Sequence, residues 1–530
     1  MITADKKIIE RSSQIFFSGT ILSRVTGLFR DVLTAYAFGS SAAIAALMVA
    51  FRFSSLFRRI FGEGALHAAF VPAYEKIRLK SDAEAARFFV DLSTLLAFTL
   101  LSIILISEIA LGGLLSSHLL KADNSQIIFL TMVLLPTLFF ICNAAFCSSL
   151  LQCHDVFFLP AVSPAVFNLF WILGVWYLKS RPVDQAVYHL SVWILVGVSA
   201  QLIVLLPQVY ECLKRDLSQQ IGFNFSRLKE CFRSIARPLG LGIIGVSTTQ
   251  INSALDAIFA RVISLEGPAY LWYAIRIQQV PLALFGVAMA GALLPPLARA
   301  FNKNKEEYAE LLNYSLGRAV GLLMPCLVAL MITAAACVNL LYGRGEFNLL
   351  SAHQTTYCLW AYALGLLPQG LILILGPAFY VQNRYYRTTR ASILALGLNV
   401  FLNIFFAFVM KYPTWSVAIA TSISSWFQAF YLFHYLLKGI ELKKFKTFIF
   451  SSIQVIALTL ICGYFAYYLS VRLNPSIDST LFFPRGFKAQ LSVFVFQTAT
   501  FLILLFSLAA IFRVKEILAL IRYLPFVKGR

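Results

Sequence analysis

Seven arginines, Arg24, Arg30, Arg52, Arg58, Arg59, Arg276 and Arg318, lie inside stretches apolar enough to cross a bilayer, and no lysine joins them. Even on lenient insertion scales an arginine at the centre of a membrane helix costs about 2.5–3.5 kcal/mol. Turning all of them to lipid would forbid insertion. The chain must adopt a fold that directs these groups inward, to water, to an acid or to an anionic ligand. Guanidinium is planar, permanently charged and grips phosphate in a bidentate way. The pattern points to a path for an anionic, phosphate-bearing substrate.

The composition fits that constraint. Of 530 residues, 59% are hydrophobic and 13% charged, and the mean hydropathy is +0.78. A span needs about 20 apolar residues. That ruler predicts an all-α polytopic membrane protein with about 14 helices, near 12–37, 42–74, 86–115, 125–151, 159–178, 186–210, 239–262, 269–298, 309–340, 354–381, 391–410, 413–437, 447–471 and 488–512. Met1 to Arg11 is largely polar and no small-residue cleavage site follows, so the first helix is expected to be retained.

A net charge of +20 could suggest nucleic acid, but its distribution argues against that partner. With a cytoplasmic N-terminus, one side collects Lys6, Lys7, Arg11, Lys76, Arg78, Lys80, Arg87, Lys214, Arg215, Arg227, Lys229, Arg233, Arg237, Lys438, Lys443, Lys444 and Lys446. The other side holds far fewer, Arg261 and Arg344 among them. This is the positive-inside pattern, with both termini expected in the cytoplasm and some attraction to anionic membrane lipid. The nine cysteines are scattered without a CxxC spacing and read as small buried hydrophobes. Cys153-His154-Asp155 looks ligand-like, yet adjacent residues cannot close a tetrahedral site alone. No metal or cofactor is expected.

The longest polar stretch separates two six-helix blocks. An N-lobe is expected at 1–211, a basic linker at 212–238 and a C-lobe at 239–440, with an extra helix pair at 441–512 and a basic tail at 513–530. In the linker Phe225, Leu228, Phe232 and Ile235 recur at helical spacing between basic residues, as in a helix lying on the inner leaflet. A plain solvated linker is the other reading.

Residues 45–76 align without a gap on 269–300, with Ala45/Ala269, Arg52/Arg276, Phe61/Phe285, Gly62/Gly286 and Pro72/Pro296 among the identities. An even number of helices apart, the copies form a parallel repeat. Such repeats bind substrate between their halves, so Arg52 and Arg276 are expected to face one another. Arg58, Arg59 and Glu63 have no charged counterpart in the second copy.

On an ideal helix Arg52, Arg59 and Glu63 fall within about 40° of one another. Arg58 points elsewhere. Arg24 shares a face with Asp31, while Arg30 lies off it. The competing reading has these arginines snorkelling to the interface or pairing with Asp31 and Glu63 to lock helices. For Arg276 the nearest intramembrane acid in sequence is Asp256. Prolines such as Pro281 and Pro325, with Gly286, predict bent helices.

Taken in order, Ser23-Arg24-Val25-Thr26-Gly27-Leu28-Phe29-Arg30-Asp31, Ala50-Phe51-Arg52, Leu56-Phe57-Arg58-Arg59-Ile60-Phe61-Gly62-Glu63-Gly64-Ala65 and Ala69-Phe70-Val71-Pro72 resemble the MurJ (MviN) lipid II flippases. These belong to the multidrug/oligosaccharidyl-lipid/polysaccharide exporter superfamily. Gly245-Val246-Ser247, Trp272-Tyr273-Ala274 with Arg276, Gly286-Val287-Ala288 and Leu293-Leu294-Pro295 extend the likeness over the whole chain. The resemblance implies a transporter, not an enzyme, that moves lipid II across the bacterial inner membrane by rocking its lobes. Lipid II is the undecaprenyl-pyrophosphate-linked peptidoglycan precursor.

The resemblance further implies that Arg30, Arg58 and Arg276 contact the pyrophosphate, with Arg24 and Arg52 as further cavity cations. Asp31 and Glu63 would be gating or orienting acids, and 441–512 would hold the lipid tail. Here it favours Arg58 where the helical wheel favours Arg59. The chain departs from the family at Ala45, where an acid is usual, at Ile275, where Asp is frequent, and at Thr388-Thr389. A flippase for another polyprenyl-pyrophosphate-linked oligosaccharide is the alternative. A cationic-drug exporter fits the arginines poorly, and a lipid-modifying enzyme would need acids or metal ligands at a membrane surface, where the outer loops are short and the largest, near 472–487, has Asp478 as its only acid.

Overall fold

Apolar runs in a bilayer can satisfy their backbone amides only as helices or closed barrels, and every regular element among the described residues is a helix. The computed structural model describes residues 2–58, 65–117, 122–214, 248–437, 446–473, 483–484 and 486–518, with some helical residues, Arg58 among them, described in backbone alone.

In chain order the helices are α1 (Ile2–Phe38), α2 (Ala42–Arg58), α3 (Ala65–Arg78), α4 (Asp82–Ser116), α5 (Ala122–Leu134), α6 (Thr137–Cys153), α7 (Phe158–Leu178), α8 (Val183–Ile203) and α9 (Leu206–Lys214). After α10 (248–263) come α11 (Gly267–Pro281), α12 (Ala288–Lys303), α13 (Lys305–Tyr342), α14 (Leu349–Ala363) and α15 (Leu366–Val381). The series ends with α16 (Tyr385–Ile404), α17 (Trp415–Leu437), α18 (Lys446–Leu473), α19 (Phe487–Ile511) and α20 (Lys515–Leu518).

Length and apolarity single out nine membrane-spanning candidates among the described residues. In the other expected spans the described residues are mostly helical too, but these helices carry charge, as α1 and α11 do, or hydroxyl side chains, as α17 does. The expected all-α membrane architecture is present, while parts of the expected spans 42–74 and 239–262 lie outside the described residues. The expected surface helix of the linker lies outside the described residues.

Two units divide the chain, Met1–Ile258 and Phe259–Arg530, with the boundary inside α10. Within a bilayer the water-exclusion gain between helices is absent, so association rests on close packing and interhelical hydrogen bonds. In the first unit α1 ends at Gly39, whose φ of +62° suits a glycine stop before α2. Farther back, α1 meets α7 so closely that a Cβ on Gly19 would lie 2.7 Å from that of Ala161. Phe70 of α3, Phe89 of α4 and Phe146 of α6 form an aromatic cluster, with centroids 4.7 Å apart for Phe70 and Phe146 and 4.8 Å for Phe89 and Phe146.

The second unit is built around α13, which starts where the Asn304 side chain accepts the Glu307 N–H at 2.6 Å. Leu312, Leu316 and Leu323 are buried on it against α12, α15 and α18. The Gln490 amide of α19 donates to Asn339 Oδ1 and to the Gly343 carbonyl, each at 3.1 Å, which ties α19 to α13. Away from that seam α18 and α19 expose Phe450, Ile453, Tyr464 and Ile503, as lipid-facing helices should. Between α11 and α12, Leu282–Val287 runs in π register after Pro281, which lacks an N–H for the regular ladder. The expected bend lies there.

Candidate functional site

The densest polar arrangement in the apolar interior of the first unit is centred on Arg30 of α1. Its guanidinium donates twice to Asp31 Oδ1, at 2.7 Å and 3.0 Å, and once to Asn168 Oδ1 of α7 at 3.0 Å. Arg30 and Asp31 are 6% and 3% exposed, so this is a buried ion pair. Aromatic rings close over it. The guanidinium carbon lies 4.6 Å from the Trp171 ring and 5.7 Å from that of Phe167. A charge so far from water is tolerable only when paired and fully hydrogen-bonded, and here the acid, the amide and the π faces share that task.

Asn168 does more than accept. Its amide donates to the Ser23 carbonyl and to Thr26 Oγ1, each at 3.1 Å. The sequence Ser23-xx-Thr26-xxx-Arg30-Asp31 thus lays one polar stripe along α1, and a single asparagine reads it from α7. The helical wheel grouped Arg24 with Asp31 and left Arg30 off that face. Here the long Arg30 side chain turns back onto its neighbour, and Arg24 stands apart. For Arg30 in this conformation, the reading of an acid pair that locks helices is the arrangement present.

Arg24 is exposed and lines a cavity of about 460 Å³ inside the first unit. Arg52 on α2 is half-buried and donates to the Ser253 carbonyl of α10 at 3.1 Å. Asp256 of α10 is buried and accepts from Asn252 at 3.3 Å. Arg261, counted with the cations of the outer side, lies buried near the end of α10, where it donates to the Leu265 carbonyl.

In the second unit, Arg276 of α11 is half-buried, with its guanidinium carbon 4.4 Å from the Trp272 ring one turn earlier. Arg318 is half-buried on α13. The side chain of Arg58, and both Arg59 and Glu63, lie outside the described residues, so the expected pairing of Arg59 with Glu63 falls there too. Ala45, standing where the resemblance expects an acid, is fully buried in α2.

Motif reasoning missed Asn168, Trp171 and Phe167. A signal for Asn168 was available, since it is the one carboxamide in the apolar run Phe158–Leu178, and an intramembrane polar residue marks a partner by default. Chemically, the described arginines offer planar donor forks on α1, α2 and α11, the groups that hold oxyanions best.

Comparisons with known proteins bear on this geometry. A family model described as "Lipid II flippase MurJ" matches residues 34–488. A probable lipid II flippase MurJ from Chlamydia muridarum (strain MoPn / Nigg) is 28% identical over 528 residues, covering 97% of this chain and 96% of the relative. One from Rhizobium tropici is 31% identical over 475 residues, covering 87% of each. Among solved structures, a lipid II flippase MurJ in an inward closed conformation shares the fold with a TM-score of 0.73 at 22% identity, covering 93% of this chain and 98% of that one. An inward-facing multidrug resistance MATE family transporter of the MOP superfamily matches with a TM-score of 0.64 at 16% identity, over 81% and 99% of the two chains.

Proposed function

The chain belongs to the lipid II flippase MurJ family, and from that premise we propose that it carries lipid II from the inner to the outer leaflet of the bacterial inner membrane. The observation that supports this most directly is the set of guanidinium groups on the helices α1, α2 and α11, in stretches apolar enough that cations are tolerated only for a purpose. Arg24, Arg30, Arg52, Arg58 and Arg276 are the substrate-binding candidates, and Asp31 and Glu63 the gating or orienting acids.

The mechanism is alternating access. In one state the arginines take the pyrophosphate-bearing headgroup while the polyprenyl tail stays in lipid along 441–512. In the other they release it outside. Three of the five Arg30 N–H donors are committed to Asp31 and Asn168 and its charge is already balanced by the carboxylate, so full engagement of pyrophosphate calls for that pair to open. The buried pair is then a latch, closed in the conformation described here. An inside-negative potential assists outward movement of negative charge by about 2.3 kcal/mol per charge per 100 mV. Lobes at 1–211 and 239–440, with both termini cytoplasmic, complete the reading.

The test uses cells depleted of their own flippase and expressing this chain. The measured quantity is the fraction of lipid II cleaved by a toxin that acts only outside the inner membrane. Cleavage restored by wild type and lost in Arg30→Ala or Arg276→Ala supports the proposal. No cleavage despite good membrane expression would redirect it to another polyprenyl-pyrophosphate-linked oligosaccharide.

A further inference from the structure

The cavity of about 460 Å³ beside Arg24 is walled by α1, α6, α7 and α8, all within the first unit. Its size lies in the range of ligand pockets, about 300–1,000 Å³. Among its described lining residues Arg24 is the one charged side chain, and Gln152, Gln201, Ser148, Ser149 and Ser163 supply most of the polar atoms.

Gln201 carries the inference. It is 9% exposed, lines the cavity, and its carboxamide has no hydrogen-bond partner among the described residues. A carboxamide that faces a cavity without a protein partner offers both its N–H donors and its carbonyl to whatever enters, so this group is placed to meet a ligand. The Gln152 carboxamide is likewise without a partner among the described residues.

The hydroxyls define what that ligand must offer. Ser148 donates to the Ala144 carbonyl at 2.8 Å and Ser163 to Pro160 at 3.2 Å. With their protons engaged, these oxygens turn only lone pairs toward the cavity. The wall therefore calls for N–H or O–H donors toward two hydroxyls, a matched donor and acceptor for each carboxamide, and one anionic group for Arg24. A pyrophosphate is all acceptor and would face those lone pairs. A neutral sugar brings no anion. A peptide brings amide N–H and C=O groups together with a carboxylate.

We propose that this cavity is a subsite for the peptide moiety of the transported headgroup, with its carboxylate on Arg24 and its amides on Gln201 and Gln152. The assignment rests on the function proposed above and adds which part of the substrate this chain reads away from the pyrophosphate. It makes the peptide, and not the lipid-linked sugar alone, a determinant of affinity.

The experiment compares binding of two probes to the purified full-length protein in nanodiscs: lipid II, and the same lipid-linked disaccharide with its peptide removed. Gln201→Leu and the milder Ser148→Ala are measured beside wild type, with thermal unfolding as a control on folding. The expected result is about tenfold weaker binding of lipid II by Gln201→Leu, a smaller loss for Ser148→Ala, and unchanged binding of the peptide-free probe by both. Equal losses for the two probes, no loss for either, or wild type binding both probes equally would overturn the subsite while leaving the flippase reading intact. Wild type binding neither probe overturns both.

Discussion

The Arg30 guanidinium bonds the carboxylate of its own sequence neighbour, Asp31, at 2.7 Å, and both side chains are buried. Removing one member leaves the other an uncompensated buried charge, which costs about 3–5 kcal/mol. Asp31→Asn should therefore lower the midpoint of thermal unfolding of the purified protein markedly. The double variant Arg30→Leu, Asp31→Asn should recover much of that stability and still fail to expose lipid II outside the membrane. A double variant that transports normally would show that the pair serves architecture alone.

Asn168 joins α7 to α1 by three hydrogen bonds, one from Arg30 and two to Ser23 and Thr26. Asn168→Leu fits the volume but strips Arg30 of a partner and removes both carboxamide bonds to Ser23 and Thr26. A loss of about 1–3 kcal/mol follows from the unsatisfied groups. Faster hydrogen exchange along α1 from Ser23 to Thr34 would register it locally. Protection unchanged on α1 would remove Asn168 from the account of the latch.

How far the sequence leads is clear from these residues. Hydropathy locates the helices because the bilayer admits little else. The arginines announce themselves because each is costly. What escapes is pairing. Residues i and i+1 do not share a helix face, so a wheel cannot couple Arg30 to Asp31, yet the long guanidinium stem folds back to the carboxylate of its neighbour. Asn168 is 138 residues from Arg30, and no periodicity connects them. The cavity at Gln201 is equally invisible, since its four walls come from helices scattered over nearly 200 residues. For Arg261, a cation at a helix end was counted with the outer side by charge alone, and burial at a helix end leaves no mark in composition.

The turn between α10 and α11 makes a sterically sharp prediction. A Cβ on Gly267 would lie 2.3 Å from the Ala260 carbonyl oxygen and 3.0 Å from Thr414 Oγ1. The first contact is backbone and cannot rotate away, and overpacking of this kind costs about 1–3 kcal/mol or more. Gly267→Ala should reduce the amount of folded protein recovered from membranes. Gly397→Ala, where an added Cβ meets nothing within 4 Å, is the matched control and should be neutral.

The guanidinium carbon of Arg276 sits 4.4 Å from the Trp272 ring, on a helix that leads into the π-register segment Leu282–Val287. The ring supports the cation by about 0.5–2 kcal/mol and fixes its plane. Lysine at this position would keep the charge but lose the planar fork and the stacking, and with them bidentate contact to a phosphate. Arg276→Lys should accordingly behave like Arg276→Ala in the external-cleavage assay, retaining little lipid II exposure at normal membrane levels. Trp272→Leu, which keeps the arginine and removes its platform, should give an intermediate loss. Full activity in Arg276→Lys would mean that positive charge alone is needed there, and that the geometry of the guanidinium on Trp272 plays no part in holding the headgroup.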